Sequence, residues 1–147
     1  MRWTWVVMAV LGLASIAWPR PDLKQALAES NLEKRSGLAL ENAANALEAA
    51  RKAYQNGDLK SVQADADEIL ESVDLAYTSL RQTGKNPRKS PKWFKRAEIE
   101  TRNLGRKLDA FREEMSYADR PMLDKVRARV QKVHDNLLLG LMEGKRQ

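Results

Sequence analysis

Few side chains in this sequence are suited to chemistry, because the chain has one histidine and no cysteine. The lack of cysteine excludes disulfides, thiolate metal sites, a cysteine nucleophile and a lipid-modified cysteine. His134 cannot form a serine–histidine–aspartate triad or a metal site with several histidines without partners. We therefore predict no enzyme active site and no cofactor.

Carboxylates are the other metal-ligating groups, and five of them lie close together in the sequence. They are Asp65, Asp67, Glu68, Glu71 and Asp74. Carboxylate metal sites in helical bundles use inward-facing Glu and Glu-x-x-His pairs, and this sequence contains no Glu-x-x-His. The five acids also fall off the apolar stripe of their segment. The pattern favours a solvated acidic face over a metal site.

One short motif indicates an alternative function. Arg129 and His134 are spaced as Arg-x4-His, with Arg127 two residues earlier. This motif resembles the Arg-x(4–6)-His signature of the HEPN superfamily, whose members are helical bundles. The resemblance implies a ribonuclease with Arg129 and His134 at its site. We prefer the interpretation that His134 is a helix-surface residue beside Asp135.

Basic residues are concentrated around one tryptophan. The chain carries 26 Lys and Arg against 20 Asp and Glu, a net charge of +6. The surplus is densest at Lys85, Arg88, Lys89, Lys92, Lys95 and Arg96, around Trp93. Such a cluster suits an anionic membrane surface, an acidic envelope polymer or an acidic protein, and we rank nucleic acid below these. A solvated loop without a partner is the alternative.

The N-terminal segment predicts export. Arg2 precedes an uncharged run from Trp3 to Trp18, with small residues at Ser15 and Ala17. This pattern is typical of a secretory signal peptide over residues 1–17, cleaved after Ala17. The alternative is a retained anchor over residues 3–18, since tryptophans bracket the run as they do at membrane interfaces. Either way, the rest of the chain is predicted to be extracytoplasmic, either periplasmic or secreted.

Apolar residues recur three and four positions apart in four segments, which predicts helices over about 22–56, 59–83, 91–116 and 120–143. Asp22 and Gln25 indicate a capping box, while Gly57, Gly84 and Gly144 mark helix ends. Caps are predicted at Asp58, at Ser90 before Pro91, and at Asp119. In the second helix the stripe begins at Leu59, and in the fourth Leu138 broadens it. Phe94 falls on the stripe of the third helix, whereas Trp93 does not.

These elements predict an all-α protein, an antiparallel up-down four-helix bundle with a long first helix. The bundle would span residues 22–144, with a basic tail at 145–147. In this topology the second loop lies beside both termini, so Arg20, Lys24, Lys145 and Arg146 would join the basic cluster at one end. We predict an exported, non-enzymatic helical binding or scaffold protein of the cell envelope. Self-association into a structural bundle is a further alternative.

Overall fold

The computed structural model describes residues 22–144, and all of its regular elements in that range are helical, with no strand. The helices are α1 (Lys24–Ala28), α2 (Leu32–Gln55), α3 (Leu59–Gln82), α4 (Pro91–Glu114) and α5 (Asp124–Glu143), with a 3₁₀ turn at Arg120–Leu123 before α5. The prediction of an all-α fold with four long helices is confirmed. The predicted signal peptide or anchor and the tail at 145–147 lie outside the described residues. Within 22–144, no helix has an apolar stretch long enough to cross a membrane.

The prediction of one continuous first helix over 22–56 is wrong, because the chain leaves the helical conformation between α1 and α2. Glu29 and Asn31 adopt extended backbone angles, with ψ of 119° and 114°. The Asn31 side chain accepts a hydrogen bond from the Lys34 amide, and the Glu29 side chain accepts one from the Asn31 amide, both at 2.9 Å. Side chains that bind nearby amides compete with the helix for them. Asn31 therefore starts a new helix.

The predicted capping box at Asp22 and Gln25 is also wrong. Leu23 occupies the N-cap position of α1, and its side chain cannot accept a hydrogen bond. Asp22 accepts from the Lys24 amide at 2.9 Å instead. The short α1 packs on α2 through the buried Ala26. The helix α1 is thus a separate short element that packs on α2.

Most of the other predicted helix ends are confirmed. Gly57 and Gly144 have φ of +72° and +69°, a left-handed conformation that glycine adopts without steric cost. The Asp58 side chain accepts from the Ser61 amide and caps α3. Ser90 precedes Pro91 as predicted, but its side chain makes no capping hydrogen bond. A Ser90 cap and a proline at the first helical position were both predicted for α4, and only the proline is confirmed.

The predicted stripes form the core, with two exceptions. Leu47, Ile69 and Leu108 are fully buried, one each on α2, α3 and α4. Leu59 and Leu138, both predicted to widen or begin a stripe, are 41% and 40% exposed. Each of these two residues therefore lies at the edge of the packed surface.

Side-chain pairs show how neighbouring helices run. Early residues of α2 contact late residues of α3 or the loop just after it, so α2 and α3 are antiparallel. Early residues of α4 likewise contact late residues of α5, so α4 and α5 are antiparallel. The pairs are Glu33 with Lys85, Asn42 with Ser72, Glu98 with His134, and Asp109 with Arg127. Between α2 and α4 the early residues Gly37 and Trp93 meet, as do the late residues Arg51 and Glu114, so these helices are parallel.

Candidate functional site

The loop that carries the basic cluster is a compact turn. The Asn86 carbonyl accepts hydrogen bonds from the amides of Lys89 and Ser90, at 3.1 Å and 2.9 Å. The Asn86 side chain accepts a third bond, at 2.9 Å, from the Arg88 amide. Pro87, in the middle of the turn, is buried. The loop therefore has a defined conformation from which its charged side chains project.

The end of α5 lies directly against this loop. Gly144 is so close to Arg88 that a β-carbon added at Gly144 would lie 2.8 Å from Arg88 Cδ. The start of α2 is also adjacent, because Lys85 Nζ forms an ion pair with Glu33 at 2.7 Å. The loop, the start of α2 and the end of α5 thus meet at one end of the molecule.

We use the term basic pole for the seven residues predicted at this site, namely Lys85, Arg88, Lys89, Lys92, Trp93, Lys95 and Arg96. The structure divides its six cations into two groups. Lys85 is paired with Glu33, and Arg96 is paired with Glu100 at 2.7 Å. The charges of these two residues are therefore partly neutralised within the molecule.

The other four cations of the basic pole have no such partner. Arg88, Lys89, Lys92 and Lys95 are all exposed, and no carboxylate between residues 22 and 144 comes within 4 Å of their charged groups. Lys92 Nζ lies over the Trp93 ring, 5.6 Å from its centre. The unpaired positive charge of the pole is therefore carried by four residues between positions 88 and 95.

Trp93 is half-buried and serves to pack α4 on α2. Its ring lies against Gly37, where an added β-carbon would be only 3.3 Å from Trp93 Cζ3. The guanidinium of Arg96 lies over the same ring, 5.4 Å from its centre. Gly37 therefore leaves the space in which the ring is held.

The basic pole is not equally basic on all sides. A shallow groove beside Trp93 is lined by two acids, Glu29 and Glu41, and by two cations, Lys34 and Arg96, so its charges balance. Lys24 adjoins Gln25 of α1, which also lines this groove. The unpaired cations Arg88 and Lys95 belong to the loop and α4 and do not line it. Arg20, Lys145 and Arg146, which were predicted to join the pole, lie outside the described residues.

The structure does not bring Arg129 and His134 together. The Arg129 guanidinium is bonded to Asp74 on α3, whereas His134 Nε2 lies 2.9 Å from Glu98 Oε1 on α4. Residues five apart on a helix are separated by roughly 140° around its axis, so the two side chains leave α5 in different directions. The predicted ribonuclease pair therefore does not form one site in this structure.

The prediction that His134 is a surface residue is wrong in part. The ring does lie beside Asp135, at 3.3 Å, but only 16% of the side chain is exposed. It fills the α4–α5 interface against Glu98, a carboxylate that is itself buried. No local sequence pattern indicates this contact, since it joins residues 36 positions apart.

The acidic residues of α3 are less uniformly solvated than predicted. Asp65 is buried, and Asp74 is bonded to Arg129. The amide of Asn42 donates to Glu68 at 2.8 Å, so this acid is also used in packing. In the part of the chain that the structure describes, no group of three or more His, Asp or Glu side chains is placed to hold a metal ion.

The basic pole is therefore the strongest candidate site among residues 22–144, and what it can do is attract negative charge. Comparison with known protein families, curated proteins and solved structures gives no match for the chain.

Proposed function

We propose that this protein is an exported, non-enzymatic helical binding or scaffold protein of the cell envelope. In this proposal α2 to α5 form an up-down-up-down bundle that holds the basic pole against an anionic surface or partner. The observation that carries the proposal is the set of four exposed cations, Arg88, Lys89, Lys92 and Lys95, that have no carboxylate partner among residues 22–144.

The spacing of these cations supports binding because it is unfavourable for the isolated helix. Lys92 and Lys95 are three residues apart on α4, and like charges at this spacing destabilise a helix by a few tenths of a kcal/mol. An anion placed between them would remove that repulsion and replace it with attraction. All four groups are exposed and lie within eight consecutive positions of the chain.

The opposite end of the molecule gives a contrast. There the arginines around the end of α4 are paired with acids, as in Arg51 with Glu114 at 2.5 Å and Arg112 with Asp124 at 3.2 Å. The unpaired cations at that end, Lys60 and Lys125, begin two different helices, whereas the basic pole has four unpaired cations within eight consecutive positions. Such clustering favours a directional contact with an anionic partner.

Export is proposed from the N-terminal pattern of a basic start, an apolar run and small residues before position 18. An envelope location would bring the basic pole near anionic lipids and acidic polymers. Fractionation of cells is the direct test, and recovery of the protein in soluble cytoplasm would contradict export.

The binding proposal can be tested with a charge-matched pair of variants. One replaces Arg88, Lys89, Lys92 and Lys95 with Gln, and the control replaces Lys60, Arg106, Lys107 and Lys125. The control positions are exposed, lie outside the basic pole, and have no carboxylate within 4 Å in the described range. Both variants lose one arginine and three lysines, so their net charges are equal.

The measurement is the salt concentration at which each protein elutes from an immobilised sulfated polysaccharide. We expect the pole variant to elute at clearly lower salt than the control, because it lacks the clustered charges. Equal elution of the two variants would show that only net charge matters, and would refute a role for the pole.

A further inference from the structure

The last two turns of α5 expose apolar side chains next to the basic pole. Leu138 is 40% exposed, Leu139 is 42% exposed and Met142 is 69% exposed. The residue just before them, Leu137, is buried. Isolated exposed apolar residues are common, but three in five consecutive positions form a continuous apolar patch.

The register of α5 on α4 places this patch beside the unpaired cations. His134 of α5 contacts Glu98 of α4, and the two helices run antiparallel. The α5 residues one turn after His134 are therefore level with the α4 residues one turn before Glu98. Leu138 is therefore at the level of Lys95 along the helix pair. At the end of α5, Gly144 lies against Arg88, so Met142 is at a level between those of the two cations.

We infer that this combined surface docks on an anionic phospholipid bilayer. The cations contact lipid headgroups, while Leu138 and Met142 enter the boundary between headgroups and acyl chains. An apolar face flanked by lysine and arginine is the usual composition of interfacial membrane contacts. This inference rests on the proposed function and names the anionic partner.

The charge of the surface argues against a second copy of the chain as its partner. A symmetric dimer through this patch would bring the four unpaired cations of each subunit towards those of the other. A soluble acidic polymer would satisfy the cations but would leave Leu138 and Met142 in water. A bilayer with anionic headgroups satisfies both parts of the surface.

The test compares vesicles of phosphatidylcholine containing phosphatidylglycerol with vesicles of phosphatidylcholine alone. Every protein has the N-terminus that the exported protein carries, so the neutral vesicles measure what that N-terminus contributes. One variant changes Leu138 and Met142 to Gln, and its control changes Leu59 and Tyr117, which are 41% and 88% exposed outside the pole. The pole variant and control of the polysaccharide experiment are included.

We expect the Leu138 and Met142 variant to lose about tenfold in partitioning to anionic vesicles, because two side chains no longer leave water. Its retention on the sulfated polysaccharide should not change. Loss of the four cations should lower partitioning by about a thousandfold and should also lower polysaccharide retention. Neither control should change either measurement by as much as twofold.

A label at the patch tests insertion directly. Because the chain has no cysteine, Met142→Cys provides a unique site for an environment-sensitive dye, and Tyr117→Cys provides a control beyond the end of α4. We expect a blue shift from the dye at position 142 with anionic vesicles, and none from the dye at position 117.

The outcomes separate this inference from the proposed function. The basic pole could be needed for retention on the polysaccharide while the protein does not partition to anionic vesicles. That result would refute the bilayer as the partner and leave an anionic polymer or acidic protein. Partitioning without a blue shift at position 142 would refute insertion of the apolar patch. If the pole variant and its control behave alike in both assays, both proposals fail.

Discussion

Two adjacent leucines on α5 give a sharp test of the packing. Leu137 is 3% exposed, whereas Leu138, which was predicted to broaden the apolar stripe, is 40% exposed. Leu137→Ala should cost about 2–5 kcal/mol of unfolding free energy, since it removes buried methyl groups and leaves a cavity. Leu138→Ala should cost less than about 1 kcal/mol, because its side chain already lies partly in water.

The comparison is well controlled because the two changes are chemically identical and neighbour each other on one helix. The small gain in helix propensity from alanine is the same in both. Urea unfolding followed by circular dichroism gives the free energies, provided that the slope with urea is unchanged. Equal losses at the two positions would show that α5 is rotated from the orientation described here, and would also remove the apolar patch on which membrane docking depends.

Two further substitutions and one measurement on the natural protein have defined outcomes. Gly37→Ala should leave the protein about 1–2 kcal/mol less stable in urea unfolding than Gly105→Ala, because both changes gain helix propensity but only the β-carbon at position 37 crowds a ring, that of Trp93; equal effects would show that the ring is not held there. His134→Ala should cost about 1–3 kcal/mol, because it removes the nearest hydrogen-bonding partner of the buried Glu98 carboxylate; unchanged stability would place the ring in solvent. Mass spectrometry of the exported protein should find Trp18 at its N-terminus, whereas an intact leader in the membrane fraction would replace cleavage with anchoring.

Local signals account for the parts of the fold that the sequence could predict. The apolar spacing of α3 and the glycine at position 57 depend on residues within a few turns, and both predictions hold. The break before α2 was missed because apolar periodicity takes no account of side chains that bind the backbone. Asn31 and Glu29 do so, and hence end one helix and start another.

The position of Leu138 shows a second reason for error. An apolar residue at the edge of a stripe can face the core or the solvent, depending on how the helix is rotated against its neighbours. The contact of His134 with Glu98 and that of Arg129 with Asp74 are on opposite sides of the α5 core stripe. Neither contact could be read from local sequence, so the exposure of Leu138 could not be predicted.

The strength of the basic pole was overestimated from sequence for a related reason. The pairing of Arg96 with Glu100 has helical spacing and is visible in the sequence, but Lys85 and Glu33 are 52 positions apart. Such exposed pairs contribute little to stability, on the order of 0–1 kcal/mol each. They do lower the positive charge that the surface presents, because the attraction for an anion depends on the charge that remains unpaired.

The two paired cations nevertheless contribute to the function proposed here. Lys85 ties the loop to the start of α2, and Arg96 packs on the Trp93 ring that α4 presses against Gly37. Both contacts restrict the segment from which the unpaired cations project. A surface that is already ordered loses less conformational entropy when it binds. The pole can therefore be understood as two cations that fix the loop and four that remain available to an anionic partner.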